Sequence, residues 1–338
     1  MRKNISWRAF REQYSALHLC MLRSKIDAES RLNVIERILR PKRLADVATT
    51  VALQRLQLAL LSGVESRAPA KGMGRVDKPR SPHTVRTYMA VIIAALRWAD
   101  YMGMIESAPK LRRLKTSKLR HMKGRPLTAT ELQDMLNATE GVVGEDSAES
   151  WRYMLRGLWA SGLRLGELMH VHWSNDRYIV PAWPNGMLPV LQIPATMQKN
   201  ETEESIPLLP EFERVLIETP VANRSDWAFS PTSLQRRVGR SPKQWRVSRE
   251  WAGRVISEIG LKAGIVVQPA GGGHFAKYAS AHDFRRSCAD RLIEAGVPER
   301  EVSRIMRHSS VDTTRRYYAS GNVQRSAKLI RDCLASID

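Results

Sequence analysis

Apolar residues recur at helical spacing through the first hundred positions of the chain. Three helices are predicted before residue 62, because apolar positions three or four apart fall on one face of a helix. A fourth helix is expected after Ser81, which can cap the first turn, with Pro82 as its first residue. Its apolar stripe contains Val85, Tyr88, Val91, Ile92, Leu96 and Trp98. The pattern predicts an all-helical N-terminal region.

The pattern changes in the second half of the chain. Thr128 and Glu131 have the spacing of a capping box, which predicts a helix start, and helices are expected from there to about residue 172. Residues 177–209 favour strands, and helical spacing returns near Trp245 and persists to the C-terminus, broken by the glycines at 271–273. The predicted fold class is therefore mainly α, with a small antiparallel β-sheet in the second half.

The length and the charge distribution indicate two domains. The chain has 338 residues, and a single core rarely grows beyond about 250 residues. Residues 1–125 hold 27 basic and 9 acidic residues, a net charge of +18, whereas the remainder holds 27 and 25, a net charge of +2. We expect a helical DNA-binding domain over residues 1–117, a basic linker over 118–125 and a second domain over 126–338.

The excess of positive charge identifies the class of partner. A one-sided field of this strength is costly unless a polyanion neutralises it, and nucleic acid is the natural candidate. A solubilising basic face without a partner remains the alternative. A membrane surface is disfavoured, because the basic residues are spread over several helices. The prediction is binding to double-stranded DNA and no association with a membrane.

Cysteine content and hydropathy indicate the compartment. Cys20, Cys288 and Cys333 lie far apart and form no Cys-x-x-Cys pair, so neither a disulfide framework nor a thiolate metal site is expected. No apolar run reaches the roughly 20 residues needed to cross a bilayer. We expect a cytoplasmic protein, associated with the nucleoid in a bacterial host, that uses no metal and no cofactor.

Two short segments contain candidates for anion binding. In GLRLGEL (residues 162–168), Arg164 lies among apolar residues and requires a counter-charge or an anionic ligand. Glu167 could supply the counter-charge as a purely structural partner. In HDFRRS (residues 282–287), His282 and Arg285 share one helix face, so both can reach one anion, although a His-x-x-Arg spacing also arises by chance.

Two further segments contain candidate functional residues that are weak signals when each segment is taken alone. In IMRHSSVDTTRRYY (residues 305–318), His308 follows a predicted helix that starts near Pro298, and Tyr317 and Tyr318 belong to the next helix or pack as ordinary apolar residues. Lys199 in QKNETEESIPL lies beside a predicted hairpin turn, where most lysines are merely solvated.

The order Arg, Lys, His-x-x-Arg, His and then Tyr nine residues later resembles the tyrosine recombinase, or phage integrase, family. The resemblance covers residues 126–320 and extends more loosely to the N-terminal half. It implies a two-domain DNA clamp, made of a helical core-binding domain and a mixed α+β integrase catalytic domain. The catalytic set that it implies is Arg164, Lys199, His282, Arg285, His308 and Tyr317, with Glu167 supporting the first arginine.

The resemblance also implies a reaction. The chain would be a site-specific recombinase that cuts and rejoins DNA through a 3′-phosphotyrosine at Tyr317 without a metal ion. Arg164 and Arg285 would bind the nonbridging phosphate oxygens together with His308, because guanidinium groups stay charged and donate in pairs. His282, titrating near neutrality, would assist proton transfer, and Lys199 would protonate the departing 5′-oxygen. By analogy the enzyme would act as a homotetramer on two duplexes, with accessory DNA-bending proteins as possible partners.

The arginine-rich region near residues 236–254 is expected to face DNA, with a solvated helix surface as the alternative. The residues predicted to contact DNA are Arg86, Arg112, Arg113, Lys115, Arg236, Arg237, Arg240, Lys243 and Arg246.

The sequence leaves two other functions open. One is a DNA-binding protein without catalysis, which would have no reason to keep all six catalytic positions. The other is a type IB topoisomerase, which would relax supercoils as a monomer with little site preference.

Overall fold

The chain divides into two units, Met1–Arg120 and His121–Asp338, here called the N-terminal and the C-terminal unit. The structure is a computed structural model that describes residues 5–66, 75–77, 79–111, 114–115, 124–198, 201–233, 245–271, 275–307 and 331. For residues 64–66, 75–77, 233 and 245 it describes the backbone alone.

Helices dominate the N-terminal unit. Its described elements are α1 (Trp7–Leu17), α2 (Lys25–Leu39), α3 (Thr50–Ser62), the antiparallel strands β1 (Val64–Ser66) and β2 (Arg75–Asp77), and α4 (Pro82–Tyr101). The predicted helices are confirmed, including the cap of α4: the Ser81 side chain accepts the backbone N–H of Thr84, and Pro82 is the first helical residue. The hairpin of β1 and β2 has no counterpart in the apolar pattern.

The core of the N-terminal unit contains the apolar stripes that the spacing predicts. Phe10, Leu32, Leu53 and Ile92, one from each of α1 to α4, are all fully buried. Burying one such side chain contributes about 1.5–3 kcal/mol. The helices therefore pack around one shared apolar centre.

The C-terminal unit combines helices with short antiparallel strands. Its described helices are α5 (Ala129–Ala138), α6 (Glu140–Val143), α7 (Glu145–Ser161), α8 (Leu165–Leu168), α9 (Pro210–Ile217), α10 (Arg249–Lys262), α11 (Ala281–Glu294) and α12 (Glu299–Ile305). Its described strands are β3 (Val180–Ala182), β4 (Val190–Ile193), β5 (Glu204–Pro207), β6 (Thr232–Ser233), β7 (Trp245–Arg246), β8 (Val266–Gln268) and β9 (Lys277–Tyr278).

The antiparallel sheet and the capping box of this unit are confirmed. Strands pair in the order β3–β4–β5, and Leu191 of β4 lies opposite Ile206 of β5, with both side chains buried. At the start of α5, the Thr128 side chain and Glu131 each accept the other's backbone N–H. The mainly helical fold with a small antiparallel sheet is therefore as predicted.

The prediction of continuous helical structure from Trp245 onward is wrong in two places. Trp245 and Arg246 form β7, and α10 begins only at Arg249, where the Ser248 side chain accepts the backbone N–H of Trp251. After α10 the chain forms the hairpin of β8 and β9. The run Ile265–Val267 is β-branched, a composition that favours an extended backbone over a helix.

Helix α7 lies at the centre of the C-terminal core, where its residues Trp151, Met154 and Leu158 are fully buried. Helices α11 and α12 pack on each other through a smaller apolar cluster that includes Cys288 and Met306. Among the described residues, no helix has the length and apolar character that a membrane crossing requires.

Helix α7 ends at Gly162, which adopts a left-handed backbone with φ 64°. A Cβ built at this position would lie 2.5 Å from Met306 Cε and 2.9 Å from Cys288 Sγ. The left-handed backbone favours a glycine here, and the side chains of Met306 and Cys288 pack against it. This packing places the residues after α7 next to the residues after α12.

Replacing Gly260 in α10 with alanine is expected to destabilise the fold. The added Cβ would overlap the carbonyl oxygen of Ala279 and lie 3.0 Å from its carbonyl carbon. Backbone atoms cannot rotate away, so overpacking should cost about 1–3 kcal/mol. Thermal denaturation should show a melting temperature lower by roughly 2–10 °C.

Gly253, in the same helix, provides the matched control. A Cβ at Gly253 would make an ordinary contact of 3.6 Å with Leu165 Cδ2. The Gly253→Ala variant should therefore be neutral or more stable by up to about 1 kcal/mol, because alanine is the better helix former. Equal melting temperatures for the two variants would contradict the packing described for Gly260.

Candidate active site

Helix α11 carries two of the predicted catalytic residues on one face, within a turn of its N-terminus. The helix starts with a capping box in which Ser280 and Asp283 exchange side-chain and backbone hydrogen bonds. His282 and Arg285 follow this cap within the first five residues of α11. His282 is exposed, whereas Arg285 is only 3% exposed.

The guanidinium of Arg285 links two distant parts of the chain. Its Nη1 donates to the carbonyl oxygen of Gly162 at 2.6 Å, and its Nη2 donates to the carbonyl oxygen of Met306. Gly162 precedes Arg164 by two residues, and Met306 precedes His308 by two. Arg285 therefore holds Gly162, two residues before Arg164, close to Met306, the second residue before His308 in the sequence.

Arg164 lies directly after the turn that ends α7 and is the N-cap of α8. Its Nη1 donates to Glu167 Oε1 at 2.8 Å, and its backbone N–H donates to Glu167 Oε2 at 2.8 Å. The Arg164 side chain is 49% exposed, whereas that of Glu167 is 16% exposed. The carboxylate thus orients a guanidinium that still faces solvent.

A second arginine, Arg307, also forms an ion pair with Glu167 Oε1. Burial alone would raise the pKa of Glu167, but Arg307, Arg164 and the backbone N–H of Arg164 outweigh it and hold that pKa below its usual range. Glu167 is therefore charged at neutral pH. Sequence reasoning missed Arg307, because nothing in the local pattern indicates that a residue beside His308 pairs with Glu167.

His282 differs from the expectation of titration near neutrality. Its pKa is lowered from 6.5 to about 4, first by desolvation and then by the charges of Arg286 and Arg285, with Asp283 opposing. Desolvation is the larger cause and the neighbouring cations add to it, because both disfavour the charged imidazole. At neutral pH His282 is a neutral imidazole, which can accept a proton.

The lowered pKa of His282 predicts how the DNA cleavage rate changes as the pH falls. A lowered pKa keeps the imidazole neutral as the pH falls, so a step that needs His282 as a base is lost only near pH 4. The rate of DNA cleavage at subsaturating DNA, which reports on the free enzyme, should show no loss attributable to His282 between about pH 5.5 and 7.5. An acid limb near pH 6.5 that disappears in His282→Asn would contradict this assignment.

A buried charge cluster supports the start of α11. Asp283, fully buried, forms ion pairs with Lys277, at 3.3 Å, and with Arg286. Its Oδ2 also accepts the hydroxyl of Ser280 at 2.6 Å. Sequence reasoning missed this cluster, although the Ser280–Asp283 spacing is a signal for a helix cap. The cluster fixes the backbone next to His282.

The structure describes three of the predicted DNA-binding residues. Arg86 on α4 and Lys115 are exposed. Arg246 instead packs its guanidinium 3.5 Å from the ring centre of Trp227 and donates to the carbonyl oxygen of Met169. Its guanidinium is thus engaged by the protein itself.

The other predicted functional positions lie outside the described residues. They are the catalytic candidates Lys199, His308 and Tyr317, the neighbouring Tyr318, and the DNA-binding candidates Arg112, Arg113, Arg236, Arg237, Arg240 and Lys243. Of the strands that flank Lys199, β4 ends at Ile193 and β5 begins at Glu204. In the sequence, Lys199 falls between these two paired strands.

Comparison with known proteins adds independent evidence. The family model described as the phage integrase family matches residues 125–324. Tyrosine recombinase XerA of Pyrococcus furiosus is 24% identical over 241 residues, which cover 70% of this chain and 70% of XerA. The type 1 fimbriae regulatory protein FimE of Escherichia coli strain K12 is 27% identical over 207 residues, which cover 61% of this chain and 91% of FimE.

Solved structures share the fold. A lambda integrase fragment, residues 75–356, in a dimer bound to a COC′ core site superposes with a TM-score of 0.62 at 16% identity, covering 93% of this chain and 95% of that one. The Tn1549 transposon integrase in complex with transposon right end DNA gives a TM-score of 0.57 at 17% identity, covering 96% and 98%. The family model spans more than half of the chain. The chain therefore belongs to the phage integrase family of tyrosine recombinases.

Proposed function

We propose that this recombinase cuts and rejoins DNA through a 3′-phosphotyrosine at Tyr317, without a metal ion. The observation that carries the proposal is the pair of bonds from Arg285 to the carbonyl oxygens of Gly162 and Met306. These bonds unite the chain segments that lead to Arg164 and His308. We propose that one scissile phosphate binds there against the half-exposed guanidinium of Arg164 and reaches that of Arg285, which is 3% exposed in the free chain, once DNA is bound.

The proposed charge distribution suits a phosphoryl transfer. A five-coordinate phosphate carries charge on its nonbridging oxygens, and catalysis depends on preplaced positive groups around them. Arg164, half-exposed and oriented by Glu167, and Arg285 bind those oxygens, with His308 as a third donor. Planar guanidinium groups keep their charge throughout the step.

The proton transfers follow from the groups at hand. The Tyr317 phenol oxygen attacks phosphorus, its proton passes to the neutral imidazole of His282, and the bond from phosphorus to the 5′-oxygen breaks. Lys199 gives a proton to the departing 5′-oxygen. The products are a 3′-phosphotyrosine and a free 5′-hydroxyl, and the reverse step rejoins the DNA.

DNA binding is assigned to the basic N-terminal third, including Arg86, Lys115, Arg112 and Arg113, and to the region containing Arg236, Arg237, Arg240 and Lys243. Arg246, which is exposed, belongs to the same proposed surface, with its guanidinium packed on Trp227 and donating to the carbonyl oxygen of Met169. Contacts from these cations to phosphates supply affinity and register but carry no sequence information directly.

The proposed assembly is a homotetramer on two duplexes in the cytoplasm, at the nucleoid where the host is bacterial, with DNA-bending accessory proteins where the site requires them. A lambda integrase tetramer bound to a Holliday junction has the same fold as this chain, with a TM-score of 0.58 at 15% identity. Closed symmetric assembly is also the common outcome for identical subunits.

Covalent capture tests this proposal and finds the target site in one experiment. The purified chain is incubated with lightly nicked genomic DNA of its source organism in EDTA, because a nick near the cut lets the cleaved end diffuse away and traps the intermediate. Detergent stops the reaction, and the protein-linked fragments are recovered and sequenced. We expect the linked 3′ ends to accumulate at one recurrent sequence.

Three results would contradict the proposal. Bound DNA without any covalent adduct indicates a DNA-binding protein without catalysis. Adducts spread without sequence preference, together with relaxation of plasmid lacking the recovered site, indicate a topoisomerase. Adducts that require added divalent metal and vanish in EDTA contradict the metal-independent mechanism.

A further inference from the structure

Arg307 has an unusual backbone for a residue with a side chain. Its φ is 46°, in the left-handed region, and it follows the end of α12. Glycine adopts this conformation readily, whereas a Cβ makes it costly. The Arg307 side chain is 8% exposed and extends to Glu167. An arginine at this position therefore requires a compensating interaction.

Glu167 connects this arginine to the proposed phosphate site. Its Oε1 accepts from Arg164 Nη1 at 2.8 Å and also pairs with Arg307. One carboxylate thus holds two guanidinium groups, which leaves one positive charge in excess. Arg164 is 49% exposed and Arg307 is 8% exposed, so the side that faces solvent is that of Arg164.

If Arg307 only stabilised the fold, all of its buried donors should be paired. Its Nε, however, is buried and has no hydrogen-bond partner within the described part of the chain. Leaving a buried donor unpaired is unfavourable. A glycine would close the end of α12 without strain and without this orphaned donor. What the arginine adds over a glycine is its hold on Glu167.

We propose that Arg307 is a positioning residue for DNA cleavage, which fixes the Glu167 carboxylate so that it aims Arg164 at the scissile phosphate. Arg307 acts through Glu167 and does not touch the DNA. The inference rests on the proposed function, because it assigns a role within the same site.

Arg307→Gly is the variant that separates the backbone from the side chain. Glycine accepts the left-handed conformation, so the end of α12 is preserved while the pair with Glu167 is lost. We expect the single-turnover cleavage rate at saturating DNA to fall about 10- to 100-fold, with the dissociation constant for DNA changed less than 3-fold. A residue that only supports the fold would not alter the rate of fully folded, fully bound enzyme.

Glu167→Gln and the double variant test whether the effect passes through the carboxylate. In the Glu167→Gln background, adding Arg307→Gly should change the rate less than 2-fold, because the shared partner is already lost. Arg300→Ala, which removes an exposed charge from the same helix, is the matched control and should cleave like the wild type. The DNA used is a nicked duplex with the sequence recovered by covalent capture.

The outcomes distinguish the inference from the function on which it rests. A wild type that forms no covalent adduct overturns both. A wild type that cleaves while Arg307→Gly cleaves equally well overturns the role of Arg307 alone, as does an equal loss in both Glu167 backgrounds. If Arg307→Gly melts below the assay temperature, Arg307→Lys replaces it. The single-turnover cleavage rate of Arg307→Lys should then be 3- to 10-fold lower than that of the wild type. A wild-type rate in Arg307→Lys would overturn the inference.

Discussion

Tyr317→Phe should abolish the covalent protein–DNA adduct, with a rate loss of at least ~10⁴-fold on the nicked DNA recovered by covalent capture. The substitution removes one oxygen, which is the atom proposed to attack phosphorus. It leaves every proposed cationic contact to phosphate in place, so the dissociation constant for DNA should stay within about 3-fold of the wild type. Denaturing gel electrophoresis of labelled DNA measures the adduct.

Tyr318→Phe is the matched control, because it makes the same change at the adjacent residue. This variant should form the adduct at a rate within about 3-fold of the wild type. The reverse pattern, in which Tyr317→Phe reacts and Tyr318→Phe does not, would move the nucleophile to Tyr318 and contradict the spacing of nine residues after His308.

Arg285→Lys should reduce the single-turnover cleavage rate by about 10²–10³-fold, the usual loss when a preplaced donor to a transition-state anion is removed. Lysine keeps the positive charge, but its ammonium group cannot reproduce the planar fork that reaches the carbonyl oxygens of both Gly162 and Met306. One buried carbonyl would then lose its donor at a cost of about 1–3 kcal/mol. Quenched-flow cleavage and thermal denaturation measure the two effects.

Arg291→Lys is the control, because it replaces another arginine of α11 whose contacts support only the fold. Arg291 donates to the carbonyl oxygen of Trp159 at 2.7 Å and to Glu211 Oε2 at 2.7 Å, and its guanidinium lies over the Trp159 ring. Its replacement should lower the melting temperature by a few degrees and leave the cleavage rate of folded enzyme within about 3-fold. Equal rate losses in the two variants would show that Arg285 acts only through stability.

Local signals in the sequence predicted most of the described fold. Ser81 and Thr128 both cap helices as expected, because a cap depends on neighbours within one turn. The hairpins of β1 with β2 and of β8 with β9 were missed because their strands are short and lack the alternation that marks a half-buried strand. Arg246 is predicted to contact DNA from its charge, and the tertiary structure adds that its guanidinium packs on Trp227.

In the candidate site, too, the sequence predicts what depends on local spacing and does not predict contacts between residues far apart in the chain. The order of motifs selected Arg164, His282 and Arg285, since those residue types at those spacings suit one anion. Sequence could not reveal that Arg307 shares Glu167, because the pair joins residues far apart in the chain. Nor could it reveal the lowered pKa of His282, which depends first on desolvation of the imidazole in the folded chain and then on the charges of Arg286 and Arg285.

The structure of the enzyme bound to its recovered site tests the central claim most directly. A nicked duplex and the Tyr317→Phe variant would hold the complex before cleavage, and the distances from the guanidinium groups to the scissile phosphate are the quantities to measure. We predict that Arg164 and Arg285 both lie within about 3 Å of nonbridging oxygens of the same phosphate. Arg285 bound only to Gly162 and Met306, with the phosphate held elsewhere, would contradict the account.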